Sequence, residues 1–204
     1  MKKFVKENLF LIQFFGGGLL CYAIWYLGYE NYLAPAGDFD WAFNRSIANQ
    51  VAAYFSLWGY EAKVVSYQIY PHLMYLNNEP IMSVDTPCNG LPMIYLFSSF
   101  ILVYAGPWKR KFGFIAFGVF TIHLLNIIRI IGLSYISIYS PDYFYFNHKY
   151  MFQIIVYSVI LSFWLYWILY GQEEKTSLKS GIRQFITLKF LSNLFTYRTI
   201  GSKI

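Results

Sequence analysis

The chain is short of charge. Only 13% of its 204 residues are Asp, Glu, Lys or Arg, where a soluble domain carries about 25%. Hydrophobic residues make up 57% and aromatic ones 23%, and they fall in long blocks. This excludes a soluble globular domain and points to a polytopic membrane protein. Cysteine is scarcer still. Two cysteines, Cys21 and Cys88, cannot build a disulfide framework. Cys21 lies inside an apolar run, so the two are not expected to pair. Two cysteines and three histidines never approach metal-ligand spacing. No glycine-rich phosphate loop is present either, so neither a metal nor a cofactor is expected. The net charge of +6 could suggest nucleic acid. The placement of Lys and Arg argues against that partner, because they cluster at the ends of apolar segments, where they encode membrane topology.

The apolar blocks predict four spans, at about 9–29, 89–108, 112–138 and 147–170. Roughly 20 residues cross a hydrocarbon core. The first block follows Lys2, Lys3 and Lys6, but no small-residue cleavage site follows it, so a retained helix is expected rather than a signal peptide. Gly16, Gly17 and Gly18 inside it would permit close helix packing. Residues 30–87 form an insert too polar to span. Within it, Ile47, Val51, Phe55 and Trp58 recur at helical spacing, with Ala48 and Ala52 beside them, which predicts an amphipathic helix. "AKVVSYQIY" and "HLMYLNNEPIMSV" then read as short strands, with "NNEP" as a turn. The fold class is thus an all-α integral membrane domain, residues 1–174, with a small helix-plus-strand insert. Residues 175–204 form a basic tail.

The N-terminus, the 109–111 loop and the tail are rich in Lys and Arg, which places them together in the cytoplasm. The insert has only Arg45 and Lys63 against six acidic residues, and the 139–147 loop carries only Asp142. Both should face outward. Cys88, at the outer end of span two, and His148, at the outer end of span four, then share a face. Arg129 lies roughly 14 Å down span three from Ile138, a depth a long side chain partly recovers by snorkelling.

Arg129 stands alone in "HLLNIIRIIGLSYI". A charge in a span is costly and faces a cavity or partner, and no acidic residue lies within any span to neutralise it. It could equally hold backbone carbonyls or lipid phosphate. Asn126, one turn earlier on the same helical face, could orient Arg129 or a substrate amide, or make an ordinary interhelical hydrogen bond. His123, deeper still, reads as a packing histidine, and His72 in the insert as a surface one. Around Cys88, Thr86 can cap a helix and Pro87 suits its first position. Cys88 would fall in the first turn, where the dipole and a nearby Arg129 would lower its pKa. Otherwise it is an inert cysteine at a helix start. Gly90 would let another backbone approach. Asn147 could cap the helix that His148 opens, and a neutral imidazole there can act as a general base. A thiol, an imidazole and a guanidinium are the parts of thiol acyl transfer.

"CNGL" at a span start, "NIIRI" in the next span and a histidine at the next outer helix start resemble the exosortase/archaeosortase family. These are multispan membrane cysteine transpeptidases with a Cys, Arg, His triad. The match covers about 84–170. The chain is similar to a compact bacterial variant, since many members carry more spans. The resemblance implies catalytic Cys88, Arg129 and His148, with Asn126, Asn89 and Gly90 in support. It implies a bacterial inner-membrane enzyme with an extracytoplasmic site. Its substrates would be membrane-anchored proteins ending in a short motif, one helix and a basic tail. Cleavage would leave a thioester on Cys88, which an acceptor the resemblance does not name would resolve. The competing reading is a non-enzymatic assembly or export factor whose Arg129 holds a partner helix or lipid headgroup. A third is an enzyme of lipid-linked or glycan substrates whose Arg129 binds phosphate.

Overall fold

The computed structural model describes residues 9–66 and 72–171. The N-terminal lysines and the basic tail lie outside the described residues. Helix α1, Leu9–Ile24, continues without a break into π-helical turns over Trp25–Leu33, past the expected end at Tyr29. Its stop comes at Gly37, in the left-handed region at φ 77°, the usual glycine exit of a helix. Of the three adjacent glycines, Gly17 is the one pressed against a neighbour: a Cβ there would lie 2.8 Å from Val103.

Helix α2, Asp38–Leu57, is the insert helix, with Asp38 and Asp40 in its first turn, where the dipole favours acids. Ile47, Ala48, Val51, Ala52 and Phe55 are buried, as the periodicity predicts. Trp58 is not part of that stripe: it follows the last helical residue and stays 66% exposed.

Strands β1 (Ala62–Val65), β2 (His72–Leu76) and β3 (Glu79–Val84) form an antiparallel sheet in that order. The β2–β3 turn is shorter than the expected "NNEP". Asn77 and Asn78 alone make it, both at positive φ, the geometry of a two-residue hairpin turn. Glu79 and Pro80 already belong to β3. Pro80 sits opposite Tyr75, where the register shifts, and an irregularity of this kind tolerates a residue with no N–H. The inner face of β2 sends His72, Met74 and Leu76 inward. The apolar pair, Met74 and Leu76, pack on Ile47, Val51 and Phe55 of α2.

Three helices follow. Helix α3 is Leu91–Val103, α4 is Trp108–Tyr139 and α5 is Pro141–Gly171. Helices α4 and α5 are long and apolar enough to cross a membrane. Helix α3 is shorter than the expected span: its 13 residues extend about 20 Å against a hydrocarbon core of about 30 Å. Helix α4 starts earlier than expected, at Trp108. The expected 139–147 loop is almost absent, because α5 begins at Pro141, one residue after Ser140, with proline in its favoured first position. Apolar packing of Phe97, Ile122, Ile160 and Trp167 joins α3, α4 and α5. Gly118 of α4 lies against the Phe97 ring, which occupies the space of any Cβ.

The insert docks on α4. Ile130 of α4 is fully buried in the α2–sheet core, and Ile127, Ile131, Tyr135 and Ile138 pack around it. Ser137 Oγ donates to the Ile81 carbonyl at 3.0 Å. The 32 residues of α4 extend about 48 Å, some 18 Å more than a hydrocarbon core. The C-terminal part of α4 that carries Arg129 is therefore clasped by the insert as well as by α5.

Candidate active site

The turn that carries Cys88 is built by its neighbours. Asp85, not Thr86, is the capping residue: its Oδ1 accepts from the Thr86 N–H at 2.7 Å. A single 3-10 turn covers Thr86–Cys88, and the Cys88 N–H donates to the Asp85 carbonyl at 2.8 Å. Gly90 then reverses the chain at φ 75°, a conformation glycine adopts without steric cost. Helix α3 starts only at Leu91, whose N–H donates to Asn89 Oδ1 at 2.9 Å. Cys88 thus precedes the helix instead of sitting in its first turn, so the dipole argument does not apply to its sulfur.

Asn126 of α4 donates through Nδ2 to the Cys88 carbonyl at 2.9 Å. It holds the cysteine backbone rather than Arg129. Gly90 gives it room: a Cβ at Gly90 would lie 3.3 Å from Asn126 Cγ. Arg129 follows Asn126 by three residues on α4, and its positive charge favours the Cys88 thiolate. Its Nε is buried and has no hydrogen-bond partner among the described residues. His148 lies within α5, in π-helical turns over Asn147–Met151. Asn147 is no cap, since its side chain donates back to the Tyr143 carbonyl at 2.9 Å. His148 Nε2 lies 3.4 Å from Cys88 Sγ, and its ring stacks on Phe144. Cys88 and His148, 60 residues apart in sequence, are thereby brought into contact.

The thiol is not pre-activated. Burial pushes the Cys88 pKa up from its ordinary 9.0, Arg129 pulls it down by less, and Asp85 adds to the rise. The net direction is upward, opposite to the expectation from the helix start. At neutral pH Cys88 rests as a thiol, with an imidazole in position to receive its proton.

A residue absent from the sequence argument anchors the turn from behind. Asp40 of α2 is 5% exposed. Its carboxylate accepts from the Tyr29 hydroxyl, at 2.8 Å to Oδ1 and 3.0 Å to Oδ2. It also accepts from Asn89 Nδ2 at 3.3 Å, and Asn89 is wholly buried. Asn89 therefore has both ends of its amide engaged, one by Asp40 and one by Leu91. In the sequence Asp40 reads as an ordinary acid of a helix first turn. The other two histidines lie elsewhere. His72 is a buried core residue, 1% exposed, held by Ser66 Oγ and the Trp41 carbonyl at 2.8 Å each. His123 packs on Phe43 and meets Gln50 Oε1 at 3.2 Å.

The described residues bring a cysteine and a histidine into contact beside two helices long and apolar enough to cross a membrane. The family comparison is specific: residues 13–170 match the transmembrane exosortase family (Exosortase_EpsH), and the chain belongs to that family. Membership implies a membrane transpeptidase that processes C-terminal sorting signals, in a family of proposed cysteine transpeptidases. No curated protein and no solved structure matches the chain.

Proposed function

We propose that the chain is a cysteine transpeptidase in which Cys88 is the nucleophile, His148 the general base and acid, and Arg129 the oxyanion stabiliser. The observation that carries this reading is the 3.4 Å separation of Cys88 Sγ and His148 Nε2 across 60 residues of sequence. His148 takes the thiol proton as Cys88 Sγ attacks the carbonyl carbon of a substrate peptide bond. The oxyanion of the tetrahedral intermediate accepts a hydrogen bond from the buried Arg129 Nε–H, which has no partner among the described residues. The C–N bond breaks, His148 returns the proton to the leaving amine, and the substrate remains as a thioester on Cys88. An acceptor nucleophile then displaces the thiol and completes the transfer. Asn126, Asn89 and Gly90 hold the turn.

The proposed setting is a bacterial inner membrane crossed four times, with both termini inside, α3 completed by its flanking segments, and the insert outside. The membrane domain is 1–174 and the tail, 175–204, is cytoplasmic. The substrates are exported proteins anchored by a C-terminal motif, helix and basic tail. The test is Cys88→Ala in cells carrying such a substrate. Processing stops while the variant still inserts and accumulates; maturation at the wild-type rate would refute the reading.

A further inference from the structure

Helices α3, α4 and α5 enclose a cavity of about 70 Å³ lined by Gly90, Met93, Asn126, Arg129, Gln153 and Tyr157, among others, and Asn126 ties it to the turn that carries Cys88. Gln153 is the unexplained residue. It is exposed, it sits in the otherwise apolar run "FQIIVY" of α5, and it makes no hydrogen bond among the described residues. An uncompensated amide on a membrane helix is expensive and marks a partner. It lies five residues beyond His148 on the same helix, about 7.5 Å along the axis. Arg129 lines the same cavity, and its Nε–H is also without an acceptor among the described residues. Two polar groups with no partner among the described residues therefore share one pocket, next to the turn that carries Cys88.

The size of the cavity selects its occupant. It holds about five to seven water-sized groups, enough for a peptide unit and part of its neighbour. A helix, about 10 Å across, does not fit. A peptide bond inside a helix is also closed to attack in practice, because its carbonyl already accepts an intrahelical bond. Cleavage needs an unwound segment, and unwound backbone at a membrane needs protein partners for its N–H and C=O groups. The Gln153 amide offers one donor group and one acceptor on a single side chain, the pair that an extended strand presents.

We infer that this cavity is the subsite for an extended stretch of substrate backbone on the membrane side of the scissile bond, with Gln153 pairing its amide groups. The inference rests on the transpeptidase reading and names the conformation in which that site takes its substrate. Gln153 is a substrate-binding residue, so its loss affects capture and alignment of the substrate rather than the thiol.

The experiment uses the full-length protein in proteoliposomes. The substrate is a reporter fused to a C-terminal sorting signal, span and basic tail from a protein of the same genome. Gln153→Met preserves size and helix propensity while removing the amide. It is expected to lower kcat/KM about tenfold, the value of one or two lost hydrogen bonds, chiefly through KM, with alkylation of Cys88 unchanged. Gln153→Asn should recover part of the loss. A Gln153→Cys variant in a Cys21→Ala, Cys88→Ala background is cross-linked to reporters carrying single cysteines along the segment. Cross-linking at every second position supports an extended strand. Wild-type kinetics for Gln153→Met, or cross-links spaced three to four apart, would overturn the inference. Because the cross-linking needs no turnover, it reads the cavity even if Cys88→Ala shows that the thiol is not the nucleophile.

Discussion

Gly90→Ala puts a methyl group at the most constrained point of the site. Two effects add. The residue sits at φ 75°, and holding an L-residue in the left-handed region costs about 1–2 kcal/mol. The new Cβ would also stand 3.3 Å from Asn126 Cγ, closer than ordinary contact. Asn126 cannot yield without moving Nδ2 off the Cys88 carbonyl, which it holds at 2.9 Å. That bond contributes about 1 kcal/mol. The sum is about 2–3 kcal/mol, or about 30- to 150-fold in the population of the turn that aims Cys88 at His148. The assay is reporter cleavage in proteoliposomes, with thermal unfolding in detergent beside it. A double-mutant cycle with Asn126→Ala separates the two effects. In that background the collision is gone and only the backbone strain remains, so Gly90→Ala should cost about 1 kcal/mol less. Cleavage by Gly90→Ala within threefold of wild type would refute the reasoning, as would strict additivity in the cycle.

Asp40→Ala leaves the Tyr29 hydroxyl and the Asn89 amide without their shared acceptor. It should destabilise the protein by about 2–4 kcal/mol and lower its melting temperature, with Asp40→Asn losing less; an unchanged melting temperature would show the network to be idle. Arg129→Met removes the cation that partly offsets the burial of Cys88. The thiolate is the reactive form, so alkylation of Cys88 should rise with pH above the ordinary thiol range in the wild type and shift further upward in the variant. A profile that stays in place or moves down in the variant would contradict the placement of Arg129.

Much of this architecture is written in local pattern. Apolar length alone marks α4 and α5, because the bilayer demands long uninterrupted helices. The 3.6-residue stripe from Ile47 to Phe55 announces α2, and the alternation of β2 follows from a half-buried sheet. Cys88, Arg129 and His148 stand out because each is a rare residue type in an apolar chain. The charge pattern assigns them to one expected membrane face, and the contact of Cys88 with His148 fits that expectation.

The contacts were decided by the tertiary structure. Whether Cys88 falls in a helix first turn or before it depends on Asp85 competing with Thr86 for the cap, and on Gly90 reversing the chain. Local sequence is compatible with either. The direction of the thiol pKa depends on how much protein covers the sulfur against one nearby cation, a balance no spacing encodes. Asp40 looks like a helix-start acid until Tyr29 and Asn89, 11 and 49 residues away, bring their donors to it. Gln153 looks like a stray polar residue until α3 and α4 close a cavity in front of it. A sequence by itself determines which segments must leave water, because that is a sum over residues. Which polar groups then meet is a property of the packed helices, set by long-range shape.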